Sequence, residues 1–501
     1  MSNHLKNETS AYLKEYVNSQ VAWHPYNEES FKRAKEEKRP IFLSIGYSGS
    51  YWCDVMRKES FEDPIIAKLL NEHFIPIKVD KDERTDLDKY YKQVYKLMNG
   101  QSCASPISLF LTEDREPFYA AAYIGTTPRG NVLDFYSLLN VVIEKYKNDK
   151  ATMVQKAQEV LHHMPPPKGK IQATRLHVDI IKTIKQHALN LFDKEEGGFG
   201  TEPKFLQLST LDLLLEAHKI TQDPELLSMV TFSFDKMIQG EIHDKKNGGF
   251  FHYANKQSWA MPRPEKMLYD NAYIASLLLK LSEITQNKTY QETALKTIEY
   301  TLKHFTYDGL FGSNGFEQEG TWHYDPKIVT SFNAMMISTL LEASKIDAGY
   351  LKTALDKLDQ LLQQHYSNNR LYHTQGVPAF LEDYAYLGQT LLQAYHLTHQ
   401  ADYLLLAERL ANQSINYFYE HGLWRFSQEL PELYDDIHDP LYPSALATEL
   451  LMLQDLSLKI DSDYTPIVFK TLEVHSYNLM RQPLSSPQLT KALLRHLKKM
   501  L

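Results

Sequence analysis

The 501-residue chain predicts two domains of different class, an α/β layered domain followed by an all-α (α/α)6 toroid. Three observations carry this. Residues from about 28 to 150 alternate between strand and helix patterns. Beyond about 175 the strand signal nearly vanishes and about twelve amphipathic helices follow one another. In that second stretch a Gly-aromatic turn recurs roughly every 50 to 60 residues, the length of one helical hairpin with its loops.

In the first domain a helix at Glu28 to Lys38 runs into the apolar strand Ile41 to Ile45. Asp63 as N-cap and Pro64 in the first helical position announce a second helix, in which Ile65, Ile66, Leu69, Leu70 and Phe74 recur at helical spacing. Strand Ile75 to Val79, helix Asp86 to Leu97, and strands Ile107 to Leu111 and Phe118 to Ile124 follow, with Glu113 and Asp114 at the last turn. The order βαβαββα is compatible with a thioredoxin-like sheet. Helices near Val132 to Tyr146 and Ala151 to His163 then lead to Pro165, Pro166 and Pro167, which cannot be helical. Residues 165–174 are therefore the expected linker between domains 1–164 and 175–501.

The expected helices of the second domain lie near 176–192, 209–222, 223–239, 266–286, 288–304, 331–346, 348–366, 382–399, 402–419, 443–458, 465–479 and 487–500. Twelve helices make six hairpins. The repeated turns are GGFG at Gly197, GGFF at Gly248, GLFG at Gly309, NRLYH at Asn369 and GLWRF at Gly422. Each reads as a short β excursion at the same end of a hairpin, so together they should rim one mouth of the toroid.

Hydrophobic content of 43% with 23% charged residues is that of a soluble globular protein, and a net charge of −9 argues against broad affinity for nucleic acid or anionic lipid. No apolar run of about 18 residues exists to span a bilayer, and the N-terminus lacks the apolar region of a signal peptide. The expected location is cytoplasmic, which suits a chain with only two cysteines, Cys53 and Cys103. No zinc, calcium or phosphate-loop motif is present, so no metal and no cofactor are expected.

Several long blocks, among them ESFEDPIIAKLLNEHFIPIKVDKDERTDLDKYY, SPISLFLTEDREPFYAAAYI, GGFGTEPKF, EKMLYDNA and FLEDYAYL, resemble the spermatogenesis-associated protein 20 family. The resemblance implies a thioredoxin-like domain fused to a six-hairpin glycosidase-like toroid, here shortened at the C-terminus. It also shows where this chain departs from the family. The family's Cys-His-Trp-Cys-His reads Ser50-Tyr51-Trp52-Cys53-Asp54, so the CxxC motif is degenerate. Without the first cysteine, dithiol exchange has no second thiol to resolve a mixed disulfide, and Asp54 is expected to raise the Cys53 pKa. Pro106 matches the proline that in such folds is cis and faces the active-site cysteine; Cys53, Cys103 and Pro106 are the redox candidates. In the toroid the family's Pro-His-Phe-Glu-Lys reads Pro262-Arg263-Pro264-Glu265-Lys266, and its Asp-Gly-Ala-x-Pro-Ser-Gly-Asn-Ser reads Asp439 to Ala447.

Glycoside chemistry needs two carboxyl groups across a cleft. Glu265, Asp270, Glu382 and Asp383 fall at the starts of predicted helices near the mouth and are the catalytic candidates; the same positions also suit simple capping. Candidate ligand-binding residues are His252, Trp259, Arg263, Tyr269, Asn271 and Tyr384, the histidine as proton carrier and the rings as stacking platforms. Glu265 with Asp270 and Glu382 with Asp383 are expected to face one pocket walled by Tyr269 and Tyr384. Three functions stay open: a carbohydrate-binding or carbohydrate-processing protein, glycosidase- or epimerase-like, with a redox-inactive thioredoxin-like domain; a non-catalytic interaction protein; and a thiol oxidoreductase or redox sensor using Cys53 and Cys103. The corresponding partners are a sugar-like small molecule or a protein docking on the thioredoxin-like domain, with no nucleic acid and no membrane.

Overall fold

The computed structural model describes residues 3–128, 133–164, 172–318, 321–439 and 441–498. The chain divides into two compact units, Met1–Lys168 with His323–Lys327, and Gly169–Trp322 with Ile328–Leu501. Most of the expected linker, 165–171, lies outside the described residues, as does Pro440.

The first unit is built on a four-stranded sheet, β1 (Ile41–Gly46), β2 (Ile75–Asp80), β3 (Ile107–Leu111) and β4 (Pro117–Ala121), in the order β2-β1-β3-β4. β1 pairs in parallel with β2 from Ile41 opposite Ile75 to Gly46 opposite Asp80, and antiparallel with β3. Every residue of β1 and β2 is buried, because helices cover both faces of the sheet. Phe42 packs against Trp23, Phe61, Phe110 and Phe135 and anchors the core on one of those faces. Asp63 caps its helix as the sequence implies, its carboxylate accepting the amides of Ile65 and Ile66 ahead of Pro64–His73.

In the second unit six helices form an inner ring: Leu208–Thr221, Leu268–Thr285, Thr330–Ala343, Leu381–Thr398, Ala445–Leu456 and Pro487–Lys498. Each packs on the next and the last packs back on the first, closing the ring. Six others, Ile180–Leu191, Pro224–Gln239, Lys288–His304, Gly349–His365, Ala401–Phe418 and Thr465–Arg481, form the outer layer. The division follows from composition. Inner helices such as Leu268–Thr285 are apolar nearly all round and buried nearly throughout, whereas outer helices such as Lys288–His304 bury one face only.

The repeated turns sit where the hairpin reading puts them, each after an outer helix and before the next inner one. Phe192 bridges Phe199 and His243 bridges Phe250, while Tyr307 pairs with Leu310, Ser367 with Arg370, and Glu420 with Leu423. Their tips take left-handed backbone at Gly197, Gly248, Gly309, Asn368, Asn369 and Gly422, which explains the glycine and asparagine in the repeat. The expected near-absence of strands fails at one place. Glu265–Met267 pairs antiparallel with Leu310–Gln318. The helix expected from residue 266 begins only at Leu268, because the backbone of Glu265–Met267 is held by the neighbouring strand. Among the described residues no helix is long and apolar enough to cross a membrane.

Candidate functional site

All six inner helices begin at the end of the ring that carries the repeated hairpins, and each places a polar residue at its cap or in its first turn: Ser209, Asp270, Ser331, Asp383, Ser444 and Gln488. This is where the chemistry gathers. A small pocket is lined by Gln207 and Ser209 at the first inner helix, by His252 and Asp270 at the second, and by Asp439 and Leu441 on the segment leading to the fifth. Its free space holds about one water molecule.

Asp270 lies 2.6 Å from His252 through Oδ2 and Nδ1. Both side chains are buried, and the His252 ring packs edge-on against Phe205 and Tyr269. A carboxylate that accepts from Nδ1–H fixes the imidazole's orientation and leaves Nε2 as a proton acceptor. Asp439 is held by two backbone amides, of Ser444 at 2.6 Å on Oδ1 and of Gln488 at 2.7 Å on Oδ2. Burial nevertheless outweighs those bonds and pushes its carboxyl up to about 6. The pocket thus joins a histidine-carboxylate pair to a carboxyl group that takes up a proton under mildly acidic conditions.

The other candidates are distributed differently from the expectation. Glu382 accepts a hydrogen bond of 3.1 Å from the Tyr442 hydroxyl, and the Tyr442 ring packs at a tilt with its centre 4.8 Å from that of Tyr269. Glu382 is therefore connected to the Asp270 side of the mouth through two aromatic rings. Asp383 is a buried structural hub. It accepts from the amides of Ser331 at 3.1 Å and Phe380 at 2.8 Å, and lies 2.9 Å from His373 Nδ1. Glu265 is buried on its strand, its carbonyl accepting from the His252 amide. Tyr384, expected as a pocket wall, packs instead against Tyr417 and Phe418 of an outer helix, because its position on the inner helix points outward. Asn271, expected to bind ligand, spends its amide on the backbone, accepting from Phe250 N–H at 2.7 Å and donating to the carbonyls of Phe250 and Met267. Trp259 is fully buried with its indole N–H on the Glu196 carbonyl at 2.8 Å, a packing role in place of stacking on a ligand. Arg263 is half-buried, its amide bonded to the Tyr253 carbonyl.

Among the described residues one group has the donor set of a metal site: His373, Glu382 and Asp383, all buried, with ligand atoms within 4.8 Å of one another. Asp383 already serves three donors there and Glu382 serves Tyr442, so the geometry is that of a hydrogen-bonded cluster.

In the first unit the two cysteines are free thiols. Ser50, standing where a first cysteine would be, caps helix Tyr51–Met56 by accepting the Cys53 amide at 3.3 Å. Burial raises the Cys53 pKa, and burial pushes Cys103 up to about 12. Asp54 is not the cause expected of it, since its carboxylate is paired with Arg57 and Lys58, each at 2.7 Å. The Ser105–Pro106 peptide is cis.

Sequence reasoning missed Asp439, Ser209 and Tyr442 as parts of the mouth. Asp439 opens the block Asp439 to Ala447 that departs from the family's pattern, and a carboxylate followed by Pro440 shortly before an inner helix was the available signal.

Residues 2–165 match the family model described as Thioredox_DsbH, a protein of unknown function, DUF255. An uncharacterized protein of Caenorhabditis elegans is 33% identical over 290 residues, 57% of this chain and 40% of that protein. Spermatogenesis-associated protein 20 of Rattus norvegicus is 29% identical over 377 residues, 73% of this chain and 47% of its own length. The matched region thus spans less than half of these curated relatives. Among solved structures, a D-mannose isomerase aligns with TM-score 0.51 at 12% identity, covering 64% of this chain and 96% of that one. The cellobiose 2-epimerase of Spirochaeta thermophila aligns with TM-score 0.51 at 11% identity, covering 65% and 96%. The first unit thus has a thioredoxin-like fold and the second a six-hairpin glycosidase-like toroid fold, in a chain similar in sequence to part of spermatogenesis-associated protein 20.

Proposed function

We propose that the toroid binds and processes a carbohydrate or a closely sugar-like molecule at the mouth that holds His252, Asp270 and Asp439. The single observation that carries this reading is the meeting of a histidine-carboxylate pair, a second carboxyl group and the Tyr269 ring at one end of the inner ring. His252, oriented by Asp270, is suited to take a proton from carbon or oxygen, and Asp439 to give one back, the pair of roles that isomerisation, epimerisation and hydrolysis of sugars share. A panel of D-mannose, D-glucose and cellobiose at tens of millimolar tests it. A ligand that binds only the native state raises Tm, and Asp270→Asn should reduce that rise at least tenfold in apparent affinity while leaving the far-ultraviolet circular dichroism unchanged. If no sugar of the panel raises Tm, in the wild type or in a variant with the mouth residue Tyr442 truncated to alanine, the reading fails.

For the first unit we infer a scaffold or docking role without thiol turnover. A buried thiol with a raised pKa is a poor nucleophile, and Ser50 cannot resolve a mixed disulfide. With dithiothreitol as donor, insulin reduction should not exceed the protein-free control. Turnover that Cys53→Ser abolishes would restore the redox reading.

A further inference from the structure

We propose that the phenol of Tyr442 stands in a ring-binding subsite of the toroid mouth, one that fits a hydroxylated six-membered ring such as a pyranose; the proposal rests on the carbohydrate reading of the neighbouring pocket. Three consecutive inner helices each supply one ring around it: Tyr269 at 4.8 Å, Phe332 at 5.7 Å and Tyr386 at 6.4 Å between centroids. A carboxylate, Glu382, accepts its hydroxyl at 3.1 Å. Aromatic faces with one acidic acceptor at the edge are what a sugar ring needs, apolar C–H faces against the rings and a hydroxyl on the carboxylate.

Tyr442 differs from the rings around it in two ways. It is half-buried while Tyr269, Phe332 and Tyr386 are buried, and it sits on the segment before the fifth inner helix, outside any helix. A side chain on such a connection leaves its place at lower cost than one on a packed helix. Its neighbour Leu441 lines the pocket that holds His252 and Asp270, so the Tyr442 position and that pocket adjoin. That pocket by itself has room for about one water, too little for any sugar. Withdrawal of this one ring would join the pocket to the space between Tyr269 and Glu382.

Tyr442→Ala is the test, read by thermal shift and calorimetry with phenol, D-mannose and cellobiose. If the subsite is ring-shaped, phenol raises the Tm of the variant and not of the wild type, a result that requires no sugar chemistry. If the subsite belongs to the sugar, at least one of the two sugars binds the variant ten or more times more tightly than the wild type. Tyr442→Phe keeps the ring and loses only the bond to Glu382; it should gain two- to fivefold in sugar affinity without responding to phenol, and it remains informative should the alanine variant fail to fold. Equal sugar affinity in wild type and variants overturns the proposal while the carbohydrate reading stands. Absence of sugar binding in every variant, with phenol still stabilising Tyr442→Ala, overturns the carbohydrate reading and the proposed ligand with it. Absence of any phenol response overturns the ring subsite itself.

Discussion

Lys78 lies on β2 with its ammonium 4.0 to 5.2 Å from the ring centres of Tyr16, Phe61, Trp23 and Tyr12, donating one hydrogen bond of 3.0 Å to Ser44. Burial lowers its pKa from 10.5 to about 7. Between those two values the unfolded chain holds a proton that the folded one has given up, so stability rises with pH across that window, by up to about 1.4 kcal/mol per pH unit, and the burden is fully present below about 7. Lys78→Met should raise stability near pH 7 and remove that slope, which urea unfolding of wild type and variant at several pH values measures. An unchanged slope would mean that the amine stays protonated in its cage. Nothing in Ile-Pro-Ile-Lys-Val-Asp announces such burial, because a lysine in an alternating strand reads as the solvent side; only a sheet covered on both faces takes that side away. The same limit explains the site. That Asp270 and Glu382 stand at helix starts was legible, but what each touches depends on the closing of the ring, and Tyr384 and Asn271 could not be told from pocket residues by spacing.

At the scale of elements, one device recurs. Asn271 and Asn333 occupy the fourth position of successive inner helices, and each binds both backbone groups of one rim residue, Phe250 and Phe311 respectively, while donating to the carbonyl four residues back. The inner helix thereby grips the hairpin that precedes it. Asn333→Ala would leave the buried amide and carbonyl of Phe311 unpaired and should cost about 2 to 4 kcal/mol by chemical denaturation. A loss below about 1 kcal/mol would mean that water replaces the side chain. The helices and turns themselves were readable from periodicity and from the glycines, whereas the strand Glu265–Met267 was not, since its pairing partner begins more than forty residues later.

Over the whole toroid, stability depends on the seam where the last inner helix meets the first. Lys491 donates to Asp212 at 2.6 Å, Tyr273 donates to the same oxygen at 3.0 Å, and Gln488 reaches the Ser209 carbonyl at 3.1 Å. Burial works against the Asp212 carboxylate, but Lys491 and Lys280 more than offset it and hold its pKa well below the usual range. Lys491→Met alone strands a buried charge and should cost about 3 to 5 kcal/mol, while Lys491→Met with Asp212→Leu should recover most of that loss. Additive losses in the double variant would show that the pair is not coupled. The periodicity of the sequence indicates six hairpins but carries no trace of this seam, whose partners lie 279 residues apart.

The closed ring also bears on how freely such a chain can be rewired. Thr174, just ahead of the first outer helix, donates its amide to the Ser476 hydroxyl on the last one at 2.8 Å, so the first and last hairpins are tied together in the outer layer as well as through the inner ring. A gene in which a flexible linker leads from the last inner helix to the first outer one, with new termini cut in the turn between Thr398 and Ala401, encodes the same helices in a rotated order. In such a circular permutant a different hairpin is first and another is last, and the mouth with Asp270, Glu382 and Tyr442 would be assembled from the same helices in a new chain order.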